Sequence, residues 1–418
     1  MIDIIKLRRD LHKHPEVGYT EFRTASKVVK ILQELGYHVL YGKDAINQEA
    51  RLGVPSQSEL DYAYERALKD GADPEILEKM KGGLTAVIAE LKGHKPGPTI
   101  AFRFDMDALP VLESADEDHL PYVEGFRSVY EGNMHACAHD AHTAIGIGLA
   151  QTLAHGEFSG TLKLIFQPAE EGGRGGFAIA QSGLLDDVDR IYCLHLGFDV
   201  PLGEIYGGST GWLATTKLET HFHGVPSHTG MQPEEGRNAL LGAATALLNI
   251  HSLPRYSGGA TRVGVGILEG GTAPNVTPYF AKMVSETRAD ADDINEDMER
   301  RVKQIIKSSA EMHGLREETK IIGKGTTISC DHDCVSVVME EAKKIKGFHT
   351  VKEMKLANGG EDASFLIKRV QEHGGKGTYM IIGTPISAPH HHQKFDIDEA
   401  AIPLSVDLLE RIALRELK

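Results

Sequence analysis

Thr161-Leu162-Lys163-Leu164-Ile165-Phe166-Gln167-Pro168-Ala169-Glu170-Glu171-Gly172-Gly173 runs from an apolar strand directly into two adjacent acids and then into glycine. The run 161–166 predicts a strand, which Pro168 and the glycines end. Further strands are expected at 85–91, 99–104 and 191–195, with a helix over 139–153. Strand and helix in alternation predict an α/β fold, a mixed or largely parallel sheet with helices on both faces. Two carboxylates side by side at a strand end are costly to bury unless something pairs with them.

The pattern changes near Thr210. A strand (213–223), a helix (236–250), two strands (262–268 and 279–287), a charged helix (292–312) and a short strand (320–322) follow in order. That order predicts an α+β ferredoxin-like domain over 211–324, inserted into a domain made of 1–210 and 325–418. The last part returns to α/β, with helices at 335–346 and 361–373 and a strand at 377–382. Residues 44–81, with the loop Arg51-Leu52-Gly53-Val54-Pro55-Ser56-Gln57, read as an insertion between two strands.

The chain has 418 residues, enough for two domains. Its net charge of −15, from 45 Lys+Arg against 60 Asp+Glu, argues against nucleic acid or an anionic membrane as partner. Four cysteines in this length are no disulfide framework. The N-terminus reads as an amphipathic helix rather than a signal peptide, and no run approaches the roughly 18 apolar residues of a membrane span. The cytoplasm is the expected location.

Met134-His135-Ala136-Cys137-Ala138-His139-Asp140-Ala141-His142 packs one thiol, one acid and three imidazoles into 135–142. Cys and His are zinc-type ligands, and such a cluster points to a metal before a disulfide. His139 and His142 share a face of the predicted helix. Cys137 precedes that helix, where its dipole favours a thiolate. Metal-assisted hydrolysis uses carboxylates in two ways, to hold a metal and to move a proton. Glu170-Glu171 supplies both, although a solvated acidic turn reads the same. Cys193-Leu194-His195 closes another strand, and α/β folds place ligands at strand carboxyl ends. Pro389-His390-His391-His392 in a loop reads alone as a weak surface metal binder, and together with the other elements as the source of a fifth ligand.

Cys330-Asp331-His332-Asp333-Cys334 looks like a metal knuckle, but no second ligand pair is near and Asp is an ordinary helix cap. Gly172-Gly173-Arg174-Gly175-Gly176 lacks the Lys-Ser/Thr of a P-loop. In the inserted domain, the segments with His228 on a turn and Arg288 ending a strand each read singly as turn chemistry, yet these residues suit an oxyanion and a carboxylate.

Together these elements resemble the aminoacylase/carboxypeptidase-G type of dinuclear metallohydrolase, in the amidohydrolase branch that holds the hippurate and auxin-conjugate hydrolases. The resemblance runs from His12-Lys13-His14-Pro15-Glu16, through Asp105-Met106-Asp107-Ala108-Leu109-Pro110, to Phe395-Asp396-Ile397-Asp398-Glu399. It implies a metallopeptidase domain carrying an inserted dimerisation, or lid, domain. It implies two divalent metal ions per protomer, zinc or manganese with cobalt or nickel as alternatives. Their implied ligands are Cys137, His139, Glu171, His195 and His391. His391 is taken because it lies four residues before Phe395, with His390 and His392 left open. Glu170 is the implied general base, and His228 reaches an oxyanion across a dimer interface. Asn275 and Arg288 hold the substrate carboxylate, and Asp107 and His142 stand behind the ligands.

The implied reaction is metal-dependent hydrolysis of the amide bond in a small N-acyl amino acid. The 44–81 insertion narrows the likeness to members that split p-aminobenzoyl-glutamate into p-aminobenzoate and glutamate. A general N-acyl-amino-acid hydrolase or dipeptidase, and a non-catalytic partner chain of a hetero-oligomeric hydrolase, are the alternatives. A homodimer, or a heterodimer with a related chain, is the implied assembly. One departure is Ala138, where the family usually has Gly.

Overall fold

A computed structural model describes residues 2–418. It divides the described residues into 2–211 with 328–418 and, separately, Trp212–Thr327. The larger unit contains β1 (His38–Tyr41), β2 (Val87–Lys92), β3 (Lys95–Asp105), β4 (Ser159–Gln167), β5 (Arg190–Leu196) and β6 (Glu204–Thr210). The smaller contains β7 (Ala214–His223), β8 (Thr261–Gly270), β9 (Phe280–Ala289) and β10 (Arg316–Gly325). The larger then resumes with β11 (Thr350–Leu356) and β12 (Lys376–Ile382).

The larger sheet is mixed and runs β1-β2-β4-β3-β5-β12-β6-β11. Its centre, β4-β3-β5-β12, is parallel, while β2 and β6 join it antiparallel. The central strands are apolar on both faces because helices cover both. Tyr192, Leu194 and Leu196 of β5 join the core that includes helix His139–Leu153. On the other face, Gly377 of β12 lies against both Ile191 and Ile367, the latter in helix Ala363–Glu372.

Helix His139–Leu153 is buried on nearly every side. A Cβ at Gly146 would lie 2.7 Å from the Phe104 and Phe166 rings, and one at Gly148 2.6 Å from Val406. Glycine at both positions lets the helix touch the sheet and helix Ala401–Glu416 together.

The smaller sheet, β10-β7-β9-β8, is wholly antiparallel. Helices Ala239–His251 and Asp292–Met312 pack on it through Ala243, Ile250, Val302 and Ile306, against Leu218, Phe222 and Met283. This is the ferredoxin-like chain order.

Two strands, β6 and β11, have no counterpart in the sequence reading, and β1 is the unbounded strand implied before the insertion at 44–81. Both β1 and β11 are sheet edges and only partly buried; β1 is just four residues long, and Lys352, Glu353 and Lys355 interrupt the apolar residues of β11. β6 carries Gly207 and Gly208, which weaken a strand signal. The strand expected at 320–322 spans Arg316–Gly325, masked by its charged outer face. The helix expected at 361–373 begins at Ala363, which frees Glu361 and Asp362 from it. The insertion lies between β1 and β2 and carries helices Gln57–Lys69 and Pro74–Met80. A Ser56/Glu59 capping box starts the first. Among the described residues, no helix is long and apolar enough to cross a membrane.

Candidate metal centre and active site

β3 and β4 end in register, with Asp105 opposite Gln167, and β5 lies parallel on the other side of β3. Chain connections diverge at such a point and leave a crevice beyond the strand ends. Asp105 and Asp107 come from the end of β3, Glu170 and Glu171 from the loop after β4, and His195 from β5. Cys137 and His139 come from the turn into helix His139–Leu153, and His390, His391 and His392 from the loop after β12. Ala138, within that turn, sits at φ 66° and ψ 12°. That left-handed backbone favours glycine and costs an L-residue roughly 1–2 kcal/mol. The methyl is accommodated in the core, and the turn still sets Cys137 beside His139.

His139 Nδ1 donates to the Asp107 carbonyl at 2.8 Å, and His195 Nδ1 to the Leu196 carbonyl at 2.7 Å. Each ring therefore turns a bare Nε2 the other way. His195 Nε2 lies 3.5 Å from Cys137 Sγ. His139 Nε2 is buried without a hydrogen bond, 3.9 Å from Glu170 Oε2. Glu171 Oε1 is likewise buried without a hydrogen bond, 3.3 Å from His391 Nε2. Three overlapping donor groups result: Cys137/His139/His195, Cys137/Glu171/His391 and His139/Glu170/Glu171, each within 4.8 Å. Buried polar atoms without partners are costly, and a divalent cation satisfies them. Thiolate, imidazole and carboxylate together fit zinc-type ions.

His142 is differently placed. Its Nδ1 donates to Asp105 Oδ1 at 2.6 Å and its Nε2 accepts the Leu196 N–H at 3.0 Å. It braces β3 against β5 and has no lone pair to offer. In the histidine triplet, His390 Nε2 accepts the Phe198 N–H at 3.3 Å. The proton then sits on its Nδ1, 3.5 Å from Cys137 Sγ. His392 Nδ1 accepts the Lys394 N–H at 3.1 Å within its own loop. His391, at φ 68° with its N–H on the Ala136 carbonyl, is the one whose ring reaches Glu171.

Burial, then the carboxylates of Glu361, Glu171 and Asp362, hold Glu170 well above the usual carboxylate range. Burial also lifts the Cys137 thiol, with Glu171 adding to it. Burial and the neighbouring His142 and His390 rings push His195 well below the usual imidazole range. The adjacent Cys137 sulfur and Glu171 carboxylate raise His391 to about 10. Such a concentration of negative donors favours bound cations.

Three buried carboxylates hold the backbone of the acid-pair loop. Glu21 accepts the Ala169 N–H at 2.8 Å. Asp107 accepts those of Glu170 and Glu171 at 3.0 Å each. Asp362 accepts those of Gly175 and Gly176 at 3.0 and 2.7 Å. Only Asp107 stands out in the sequence, because Asp362 there reads as an ordinary helix start. Beneath them Arg103 pairs with Asp105, Glu361 and Asp362, and Glu361 takes the Tyr379 hydroxyl. Arg174 ties the same loop to the insertion. Its Nε donates to the Glu171 carbonyl at 2.9 Å, and its Nη1 to the Gly53 carbonyl at 3.3 Å.

The other expected site residues lie in the smaller unit. His228 bridges to Val276 on an exposed turn, and the Thr229 N–H donates to the Asn275 carbonyl at 3.3 Å. His228 and Asn275 therefore share one corner of that unit. Arg288 lies on β9 opposite Thr215, with its guanidinium 3.0 Å from Glu286. In the apparent metal knuckle, Cys330 Sγ bonds the backbone of Ser209 and Tyr379, and Cys334 is buried.

Residues 101–415 match Peptidase family M20/M25/M40, and the chain belongs to that family. It is thereby a metal-dependent amidohydrolase, as its motifs imply. The chain is 42% identical over 410 residues to one of the component chains of p-aminobenzoyl-glutamate hydrolase from Escherichia coli strain K12, spanning 97% of this chain and 94% of that one. It is also 42% identical over 415 residues to an indole-3-acetyl-aspartic acid hydrolase of Enterobacter agglomerans, spanning 99% and 95%. Among solved structures, an aminobenzoyl-glutamate utilization protein from Klebsiella pneumoniae matches with a TM-score of 0.86 at 38% identity, covering 99% of this chain and 95% of that one.

Proposed function

We propose that this chain cleaves the amide bond between an aromatic acyl group and an acidic amino acid. Its foremost substrate is p-aminobenzoyl-glutamate, and the products are p-aminobenzoate and glutamate. The Glu170-Glu171 pair carries the reading: Glu171 offers an unbonded buried oxygen, and Glu170 stands beside the bare His139 Nε2 with a raised pKa. Cys137, His139, Glu171, His195 and His391 would hold two divalent ions, zinc or manganese, with cobalt or nickel as substitutes. When bound, these ions supply electrophilic charge that acidifies water and polarises the amide carbonyl.

Glu170 takes a proton from the attacking water and returns it to the leaving amide nitrogen. A carboxylate with a raised pKa suits both transfers. Asp107 and His142 act behind the ligands, one on the acid-pair loop and one between the strands. His228 is assigned to the oxyanion, and Asn275 with Arg288 to the substrate carboxylate.

Both 42% relatives are named for an aromatic acyl group joined to an acidic amino acid, which supports this substrate class. The Enterobacter relative favours indole-3-acetyl-aspartate as a second reading. A dimer is proposed, with itself or with a related chain, since the Escherichia coli relative is named as one component of a larger enzyme. Its support is the apolar exposure of Leu241, Leu248 and Ile267 beside the open edge of β8. Free cysteines support a reducing, cytoplasmic setting.

The test is a hydrolysis panel on the purified chain with each metal. It includes p-aminobenzoyl-glutamate, indole-3-acetyl-aspartate, hippurate, acetylated amino acids and dipeptides. Preference for acetylated amino acids or dipeptides overturns the substrate reading. Glu170→Gln is expected to lower kcat about 10²- to 10⁴-fold with metal content unchanged. Near-normal turnover in that variant removes Glu170 from its role.

A further inference from the structure

The smaller unit carries a second group of metal-type donors on the open face of its sheet. Along β7, Leu218, Thr220 and Phe222 are buried, while Glu219, His221 and His223 alternate with them on the opposite face. His221 and His223 are thus neighbours on one side of the strand. β10 pairs with β7 so that Glu318 lies directly opposite His221. One donor atom from each of His221, His223 and Glu318 lies within 4.8 Å of the others.

Phe280 of β9, opposite His223, packs against both imidazoles, with ring centroids at 5.3 and 5.6 Å, and limits their rotation. His223 Nε2 is shielded from water and has no hydrogen-bond partner. Glu318 Oε2 stands 3.8 Å from it, too far for a hydrogen bond. Tetrahedral zinc, with ligands at about 2.0–2.2 Å, separates its ligand atoms by roughly 3.3–3.6 Å. Small rotamer changes therefore close the site on an ion. Of the cations acting on Glu318 and His221, which include Lys320 of β10, two already have counter-charges. Arg316 takes the other oxygen of Glu318, and Lys282 is held by Glu219 at 2.7 Å. The remaining Glu219 oxygen lies 3.1 Å from His221 Nε2.

We infer that His221, His223 and Glu318 form a site for one divalent transition-metal ion of the zinc type, separate from the donor set of the larger unit and tying β10 to β7. Two imidazoles and a carboxylate leave a fourth position for water.

The test uses the full chain with its hydrolytic centre already loaded. Zn²⁺ is titrated in, and bound metal is counted after desalting. Wild type is expected to hold one ion more than the His221→Ala/His223→Ala variant, and Zn²⁺ to raise its Tm further. Glu318→Gln should weaken that ion at least about tenfold while hydrolysis is unchanged. His391→Ala should leave the ion in place. Equal metal content in wild type and the double variant overturns the site. So does an affinity indifferent to Glu318→Gln, or loss of the counted ion in His391→Ala.

Discussion

Asp362 has only donors for partners. One oxygen accepts the Gly175 and Gly176 N–H groups, and the other accepts Gln167 Nε2 at 2.6 Å. Gln167 is not free to turn, because Arg103 Nε holds its Oε1 at 2.8 Å. Asp362→Asn therefore sets an amide N–H₂ against a buried donor in either orientation, at about 1–3 kcal/mol. Because the strained contact supports the Glu170-Glu171 loop, kcat is expected to fall about 10- to 100-fold with metal content retained. A lower Tm with intact kcat would limit Asp362 to a structural part. Cys137, His139, Glu170 and Glu171 were legible as candidates because their chemistry is unusual at that spacing. Asp362 and Glu21 were not, since a lone acid at a helix start or in a loop is ordinary. What marks them is burial against backbone N–H groups, which only the folded chain creates.

Helix His139–Leu153 links packing to the proposed metal centre, since His139 opens it and Gly146 presses on Phe104 and Phe166. Gly146→Ala gains helix propensity but overpacks this contact. A net loss of about 1–3 kcal/mol is expected by urea unfolding, with weaker metal retention as His139 shifts. The helix is also pinned from the N-terminal side. Arg8 bonds Asp140 at 2.8 Å and Asp396 at 2.5 Å. His12 lies between Asp140 and Glu113, at 2.9 Å from each.

Burial opposes the charge on His12, but those two bonds outweigh it and lift its pKa from 6.5 to about 9. A folded-state pKa raised in this way stabilises fully below about pH 6.5, and the contribution is lost as pH rises through about 9. The urea midpoint should therefore drop between about pH 7 and 9.5, and His12→Gln should flatten that drop. An unchanged slope in the variant would count against the charged state. The N-terminal helix was legible as amphipathic, and helix His139–Leu153 as a helix expected over 139–153. Their coupling through ionic side chains was not, because Arg8 and Asp396 lie at opposite ends of the chain.

At the scale of the whole molecule, the proposed dimer has a direct test. Leu248 is 69% exposed on helix Ala239–His251, and Leu241 is 51% exposed one face-repeat earlier. Leu248→Glu is expected to yield monomers in sedimentation experiments. If His228 serves a neighbouring protomer, kcat should fall in step with dissociation. A monomeric wild type, or a fully active monomeric variant, would set that role aside. Apolar strand runs, glycine and proline breaks and helical periods were enough to read two architectures and their order along the chain, because they are local properties of consecutive residues. Motif chemistry was enough to reach the family. Edge strand β11 escaped because Lys352, Glu353 and Lys355 interrupt its apolar residues, and β1 was legible only as the unbounded strand before the insertion because it is four residues long. The tautomers of His139, His142, His195 and His390, the carboxylates around the acid-pair loop and the His221/His223/Glu318 face were decided only by tertiary structure. Each depends on which groups distant in sequence arrive within hydrogen-bonding reach, and strand pairing and helix packing set that distance.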